Sequence, residues 1–166
     1  MEEKLKDLVY PEQIQDAREL EDLVTKLNLA ITNCYKTTCP LAHDDFIRKI
    51  AVDEDNYRIV TVSDDNKTKL WDYRNGIVMV NRYKDSKHFV MDASFYPIDH
   101  NQFLTASLDG KVRLYSVANT KCIRSVKGHG AGINTLEFPG NSIFITGSDD
   151  NTAMVWDVKR SMPISV

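Results

Sequence analysis

A ten-residue segment that occurs three times constrains the fold of this chain more than any other feature of its 166 residues. The copies begin at Ser63, Ser107 and Ser148, which are 44 and 41 residues apart. The first and third copies read SDDNKTKLWD and SDDNTAMVWD, and the second reads SLDGKVRLYS, in which Tyr115 replaces the tryptophan. Repeats of this period predict equivalent structural units that stack on one another and share a core.

A histidine precedes each copy at nearly the same distance. It lies 28, 27 and 27 residues before the aromatic residue, in the pairs His43 and Trp71, His88 and Tyr115, and His129 and Trp156. Between these two residues, short β-branched and aromatic runs alternate with turn residues, which predicts β-strands. Within each copy an Asp-Asn or Asp-Gly pair stands where a tight hairpin needs residues that tolerate positive φ. Each unit is therefore predicted to be a four-stranded sheet, with only a stub for the last strand of the third unit.

The Gly128-His129 pair, the Trp-Asp pairs and the period resemble the WD40 repeat. This resemblance covers residues 43–166 and implies an all-β fold of about three β-propeller blades in an open arc, at 43–84, 85–127 and 128–166. Residues 34–42 are predicted to be a linker. Because a propeller hides its edges by closing into a ring of more blades, the chain is expected to be a truncated form that is marginal unless copies associate or another chain completes the ring.

Serine, histidine and aspartate recur in each unit, and together they have the composition of a hydrolase triad. A nucleophile is normally one activated residue in one pocket, so repetition favours a structural role. We predict that the histidine bonds the turn aspartate through one ring nitrogen and the serine hydroxyl through the other. The residues assigned to this network are His43, Ser63, Asp65, Trp71, His88, Ser107, Asp109, Tyr115, His129, Ser148, Asp150 and Trp156. The chain is predicted to be no enzyme and to use no metal or cofactor.

Residues 1–33 are predicted to form an N-terminal α-helical extension, because helix formers dominate and glycine does not occur there. Apolar residues in heptad spacing predict a seam for a partner helix at Leu20, Val24, Leu27 and Ile31. The alternatives are that this helix folds back on the blades as a cap, or frays.

The extension followed closely by the first blade is similar to the β subunit of heterotrimeric G proteins, as are the segments QIQDAR from Gln13 and FVMDASFYP from Phe89. This resemblance implies a γ-like subunit on the helical seam. It also implies an α subunit or effectors on a surface that comprises Phe46, Arg48, Phe89, Met91 and Leu108. At Phe46, Arg48, Gly110 and Gly132 the chain departs from the family pattern. Strand packing is the alternative role of Phe89 and Met91, and a general WD40 scaffold in another assembly is the alternative function.

Composition and charge argue against several other functions and locations of the protein. The net charge of -3 argues against nucleic-acid binding, which needs a basic surface. The sequence has neither an apolar run long enough to span a bilayer nor a signal peptide at its start, so direct membrane insertion is not expected. Three cysteines without zinc-site spacing are expected to be reduced thiols. The predicted location is the cytoplasm, with membrane attachment only through a lipidated partner.

Overall fold

The computed structural model describes residues 42–140 and 142–165, which form three antiparallel sheets. The first sheet contains β1 (Ile47–Asp53), β2 (Arg58–Ser63), β3 (Thr68–Asp72) and β4 (Val78–Tyr83). The second contains β5 (Val90–Phe95), β6 (Gln102–Ser107), β7 (Lys111–Ser116) and β8 (Cys122–Lys127). The third contains β9 (Ile133–Gly140), β10 (Ile143–Ser148) and β11 (Ala153–Asp157). The helical extension predicted at 1–33, its partner seam and most of the linker lie outside the described residues.

The all-β prediction is confirmed, and each sheet is a meander in which consecutive strands pair. In the third sheet the described residues after β11 form only an isolated bridge, between Val155 and Ser165, where the stub of a fourth strand was expected. The hairpin prediction is also confirmed, because Asn66, Gly110 and Asn151 have φ values of 62°, 75° and 66°. Within the described part of the chain, no helix has the length and apolar character needed to cross a membrane.

Each sheet has a near face, which carries the aromatic residue of the repeated segment, and an opposite far face. The far face of the first sheet, with Val60 and Leu70, packs against Phe103 and Tyr115 of the second sheet. The far face of the second sheet packs in the same way against the near face of the third, which includes Trp156. The core therefore consists of two layers of one repeated interface, in which β-branched and aromatic side chains interdigitate.

One buried carboxylate joins the first strands of all three sheets. Asp92 in β5 is 6% exposed, and its Oδ2 accepts a hydrogen bond of 2.8 Å from the backbone N–H of Leu136 in β9. Its Oδ1 lies 3.4 Å from the Nζ atom of Lys49 in β1. The polar group is thus satisfied on both sides, as burial requires.

Candidate functional site: hydrogen-bond network and turn edge

In the third sheet a hydrogen-bond chain leads from the tryptophan to the turn aspartate. The indole Nε1–H of Trp156 donates to Thr146 Oγ1 at 2.8 Å, and Thr146 Oγ1 lies 2.8 Å from Nε2 of His129. The Nδ1 atom of His129 lies 2.9 Å from Asp150 Oδ2. Because the carboxylate can only accept, Nδ1 carries the proton and the threonine hydroxyl donates to Nε2. Every polar atom of this buried chain is therefore paired.

The first sheet repeats the arrangement with the same geometry. His43 Nδ1 lies 2.9 Å from Asp65 Oδ2, and its Nε2 lies 2.7 Å from Thr61 Oγ1, which also accepts the Nε1–H of Trp71 at 2.8 Å. Burial lowers the pKa of His43 although the bond to Asp65 acts to raise it. Burial acts to raise the pKa of Asp65, but hydrogen bonds from the Asp44 N–H and from His43 hold that pKa below 3.8.

The structure corrects one half of the predicted network, because histidine bonds threonine and not serine. Ser63 Oγ instead donates to the carbonyl of Asp45 at 3.1 Å and accepts the N–H of Asp65 at 3.1 Å. Ser148 binds the carbonyl of Gly132 in the same way. A triad needs the histidine as the partner of the serine, so in these two sheets the set is not a nucleophile with its base. A threonine two residues before each repeated serine, at positions 61, 105 and 146, was the signal in the sequence.

The second sheet lacks the histidine link, which is a further correction. His88 is exposed, and its Nδ1 accepts the N–H of Phe89 at 2.9 Å. Arg113, which is 3% exposed, instead donates to Asp109 through both terminal nitrogens, at 3.1 and 2.5 Å. Burial acts to lower the pKa of Arg113, but the bonds to Asp109 raise it above the usual value. A bidentate ion pair thus takes the place of the histidine.

Tyr115 stands in the position of the tryptophans and packs as an aromatic core residue. Its ring stacks on Phe103 with centroids 5.4 Å apart and an interplanar angle of 26°, and it lies 4.8 Å from the ring of Tyr83. Burial raises the pKa of Tyr115, and it raises the pKa of Tyr83 to about 12. Ser107 repeats the role of the other serines by donating to the carbonyl of Phe89 at 2.9 Å.

We call the edge of the three sheets that carries the turns β2–β3, β6–β7 and β10–β11 the turn edge. On the first sheet Phe46 is 73% exposed there. The guanidinium of Arg48 lies over its ring at 5.9 Å and donates from Nε to Asp64 Oδ1 at 2.8 Å. Asp64 is buried, and sequence reasoning missed it. This ion pair holds a cation and an aromatic ring in fixed positions at the surface.

On the second sheet the turn edge carries apolar side chains, and on the third sheet it carries polar ones. Phe89, Met91 and Leu108 are each half-buried, so these three residues are neither free surface nor core. A Cβ at Gly132 would lie 2.7 Å from Leu108 Cδ2, so the glycine makes room for Leu108 at the junction of the two sheets. Beside it, Asn134 Nδ2 donates to Asp149 Oδ1 at 2.5 Å, a pair that the sequence did not reveal.

Three potential metal ligands meet at the opposite edge. Oxygen or nitrogen atoms of Asp53, Asp55 and His100 lie within 4.8 Å of one another. His100 Nδ1 donates to the buried Asp53 Oδ1 at 2.7 Å, and the amide of Asn56 donates to both oxygens of that carboxylate. The bond from His100 ties the second sheet to the first.

Known proteins share this pattern. A family model described as "WD domain, G-beta repeat" matches residues 33–72, 79–116 and 120–157. Coatomer subunit beta'-2 of Arabidopsis thaliana is 36% identical over 90 residues, 52% of this chain and 10% of that protein. Guanine nucleotide-binding protein subunit beta of Oryza sativa subsp. japonica is 31% identical over 121 residues, 69% of this chain and 32% of that protein. U3 small nucleolar RNA-associated protein 15 homolog of Xenopus laevis is 27% identical over 119 residues, which are 71% of this chain and 22% of that protein.

The matches to these curated relatives span between about a tenth and about a third of the relatives' length. Each of the three matches to the family model ends on the third strand of one sheet, at Asp72, Ser116 and Asp157. Sequence period, sheet topology and family model therefore agree, and the chain belongs to the WD40 repeat family.

Proposed function

We propose that the turn edge is the partner-binding surface of this WD40 protein-interaction scaffold. The observation that carries the proposal is the exposed ring of Phe46, held beside the Arg48–Asp64 ion pair. Aromatic and arginine side chains supply most of the binding energy at protein interfaces when they are fixed before binding. Met91 and Leu108 continue the surface with apolar area that is already partly ordered.

The finer proposal is a transducer that resembles the G-protein β subunit. A γ-like subunit would bind the seam at Leu20, Val24, Leu27 and Ile31, and an α subunit or effectors would bind the turn edge. The identity of 31% with the rice β subunit supports this proposal. Binding would be competitive, since one surface serves several partners, and a lipidated partner would hold this cytoplasmic chain at a membrane.

The second candidate is a subunit of a different multiprotein assembly, with the extension as a docking helix. The identity of 36% with the Arabidopsis coatomer subunit favours it. Both candidates use the turn edge, and they differ in the need for a γ subunit.

Coexpression of the full chain with a G-protein γ subunit separates the two candidates. For a transducer we expect a one-to-one complex by size-exclusion chromatography with light scattering, and its loss in Leu27→Asp, because a carboxylate cannot enter a heptad seam. Absence of a complex with the unaltered chain would contradict the transducer and leave the second candidate.

The turn edge is tested with the βγ-like complex and a GDP-bound α subunit, by calorimetry. Phe46→Ala with Met91→Ala should weaken binding by about tenfold or more. Ile98→Ala is the matched control, because Ile98 is 60% exposed and lies between β5 and β6, away from the turn edge. An unchanged affinity in the double variant would exclude the turn edge as the binding surface.

A further inference from the structure

The outer strand of the first sheet carries a run of exposed apolar residues. Ile77, Val78, Met79 and Val80 are all exposed, Val78 by 62% and Val80 by 52%. Val78–Tyr83 forms β4, and among the described residues β3 is the strand that pairs with it. The other edge of such a strand presents unpaired backbone N–H and C=O groups. An exposed apolar run on a strand edge is normally covered by another surface.

The second sheet protects its outer strand with charge. Met79 and Cys122 occupy equivalent positions, because each pairs with the aromatic residue of its repeated segment. Val78 precedes Met79 as the exposed Lys121 precedes Cys122. A lysine on an outer strand opposes pairing with another strand, since its charge would have to be buried between them. The first sheet has valine where the second has this charge.

In the third sheet the chain itself covers part of the outer edge. The N–H of Ile164 donates to the carbonyl of Val155 at 2.7 Å, and Ser165 forms a bridge with Val155. Within the described residues, β4 has neither this cover nor the lysine of the second sheet. The comparison of the three outer strands therefore points to β4 as an edge that can pair with another strand.

An ordered aromatic residue lies beside the start of β4. The guanidinium carbon of Arg74 lies 6.0 Å from the centre of the Tyr57 ring, and Tyr73 packs edge-on against that ring at 5.7 Å. Asp72 Oδ2 lies 3.1 Å from a terminal nitrogen of Arg74, and Asp72 pairs with Val78 of β4. Tyrosine and arginine side chains that are fixed before binding supply much of the energy of protein interfaces.

The backbone of Tyr57 is in the left-handed region, with a φ of 56°. The other described non-glycine residues with positive φ are Asn66 and Asn151, which are ordinary there. A bulky residue in this conformation costs free energy that asparagine or glycine would avoid. Tyr57 is 49% exposed, so burial in the core does not account for it. An exposed ring kept at this cost supports a role in binding.

The charges that flank the apolar run are cationic. Arg82 of β4 and Lys84 just after it are exposed, and neither forms an ion pair with another described residue. Asp72, on the other side of the run, is already paired with Arg74. Cations that lack a counterion favour a partner with acidic residues and oppose a basic one.

We propose that an extended segment of a partner protein adds to the free edge of β4 as a further strand of the first sheet. The backbone of the segment pairs with the outward N–H and C=O groups of β4, and its apolar side chains contact Val78 and Val80. Tyr57 and Arg74 hold one end of the segment, and an acidic residue near the other end faces Arg82. This surface is separate from the turn edge, so the inference goes beyond the proposed function.

The probe is a synthetic peptide in which valines alternate with threonines and glutamates flank both ends. It is titrated against the full chain by fluorescence polarisation, and we expect saturable binding. The same peptide with lysines in place of the glutamates should bind about tenfold more weakly or worse. Two further forms carry N-methyl groups on one or the other set of alternate amides. One form should lose binding and the other keep it, because one edge of the added strand pairs with β4.

Val80→Lys puts a lysine on the edge of β4 and should weaken binding by about tenfold or more. Ile123→Lys is the matched control, because Ile123 is 53% exposed and lies in the equivalent bulge of β8. Arg82→Glu should reverse the preference between the glutamate and lysine peptides. Circular dichroism establishes that each variant is folded, and Arg82→Glu tests the same surface independently of Val80→Lys.

Absence of saturable binding to the unaltered chain would overturn the proposal. Equal losses in Val80→Lys and Ile123→Lys would do so as well, since the peptide would then bind elsewhere. A light-scattering mass of twice 19.0 kDa that returns to one copy in Val80→Lys would mean that β4 pairs with a second copy and not with a partner's segment. None of these outcomes changes the test of the turn edge, so the two proposals fail separately.

Discussion

The second and third sheets bind the equivalent half-buried turn aspartate by different chemistry. In the third sheet, Asp150 is bound by His129, which is linked through Thr146 to Trp156. In the second, Asp109 is bound by the guanidinium of Arg113, and His88 accepts the backbone N–H of Phe89. The comparison shows that the fold requires a partner for the carboxylate and does not require a histidine. The partner determines how each sheet responds to mutation and to pH.

The largest expected effect comes from breaking the ion pair of the second sheet. Asp109→Ala leaves the buried guanidinium of Arg113 without a counterion and should lower the free energy of unfolding by about 3 to 5 kcal/mol. Urea denaturation measures this change. Asp109→Ala combined with Arg113→Met removes both charges and should restore much of the loss. A double variant as unstable as the single one would mean that packing of Asp109, and not its charge, matters.

The next effect is the loss of the histidine in the third sheet. His129→Ala removes one hydrogen-bond partner from Thr146 and one from Asp150 and should cost about 2 kcal/mol in urea denaturation. His88→Ala removes an exposed side chain and should stay within about 0.5 kcal/mol of the unaltered protein. Equal costs for the two histidines would refute the difference between the sheets.

The smallest effect is a pH dependence that belongs to the first sheet. Burial lowers the pKa of His43 below 6.5, so between the two values the unfolded chain binds the extra proton. The stabilisation is therefore complete above pH 6.5 and is lost as the pH falls below it. Urea midpoints at about pH 7.5 and about pH 5.5 should differ less in His43→Gln than in the unaltered chain. His88→Gln should keep the full difference between the two urea midpoints. A smaller difference in His88→Gln would contradict the assignment of the pH dependence to His43.

The repeated segment predicted the sheets and their turns closely, because strands and tight hairpins depend on local patterns. The first two units form the four-stranded sheets that the alternation of residues predicts. The network was harder to predict, since Thr61 and Ser63 lie two residues apart on the same face of β2. Their positions along the strand decide which of them His43 reaches, and the sequence pattern does not show those positions. His88 was misassigned because its spacing matches, whereas its side chain lies at the surface.

Contacts between sheets were beyond the reach of the sequence for a different reason. The pattern of one unit does not contain the neighbour that packs on it, so Asp92, Lys49 and Leu136 did not stand out as a group. Gly132 was noticed only as a departure from a family pattern. A glycine is needed at this position because the side chain of Leu108 on the preceding sheet occupies the space that a Cβ would take.

The carboxylate of Asp92 has a consequence for the order in which the chain folds during translation. Its partners Lys49 and Leu136 lie 43 residues before and 44 residues after it, which is one repeat in each direction. A nascent chain on the ribosome therefore lacks the partner of Asp92 Oδ2 until the third repeat has emerged. Because synthesis proceeds from the N-terminus at about 5 to 20 residues per second, the first two sheets wait some seconds before the third secures them.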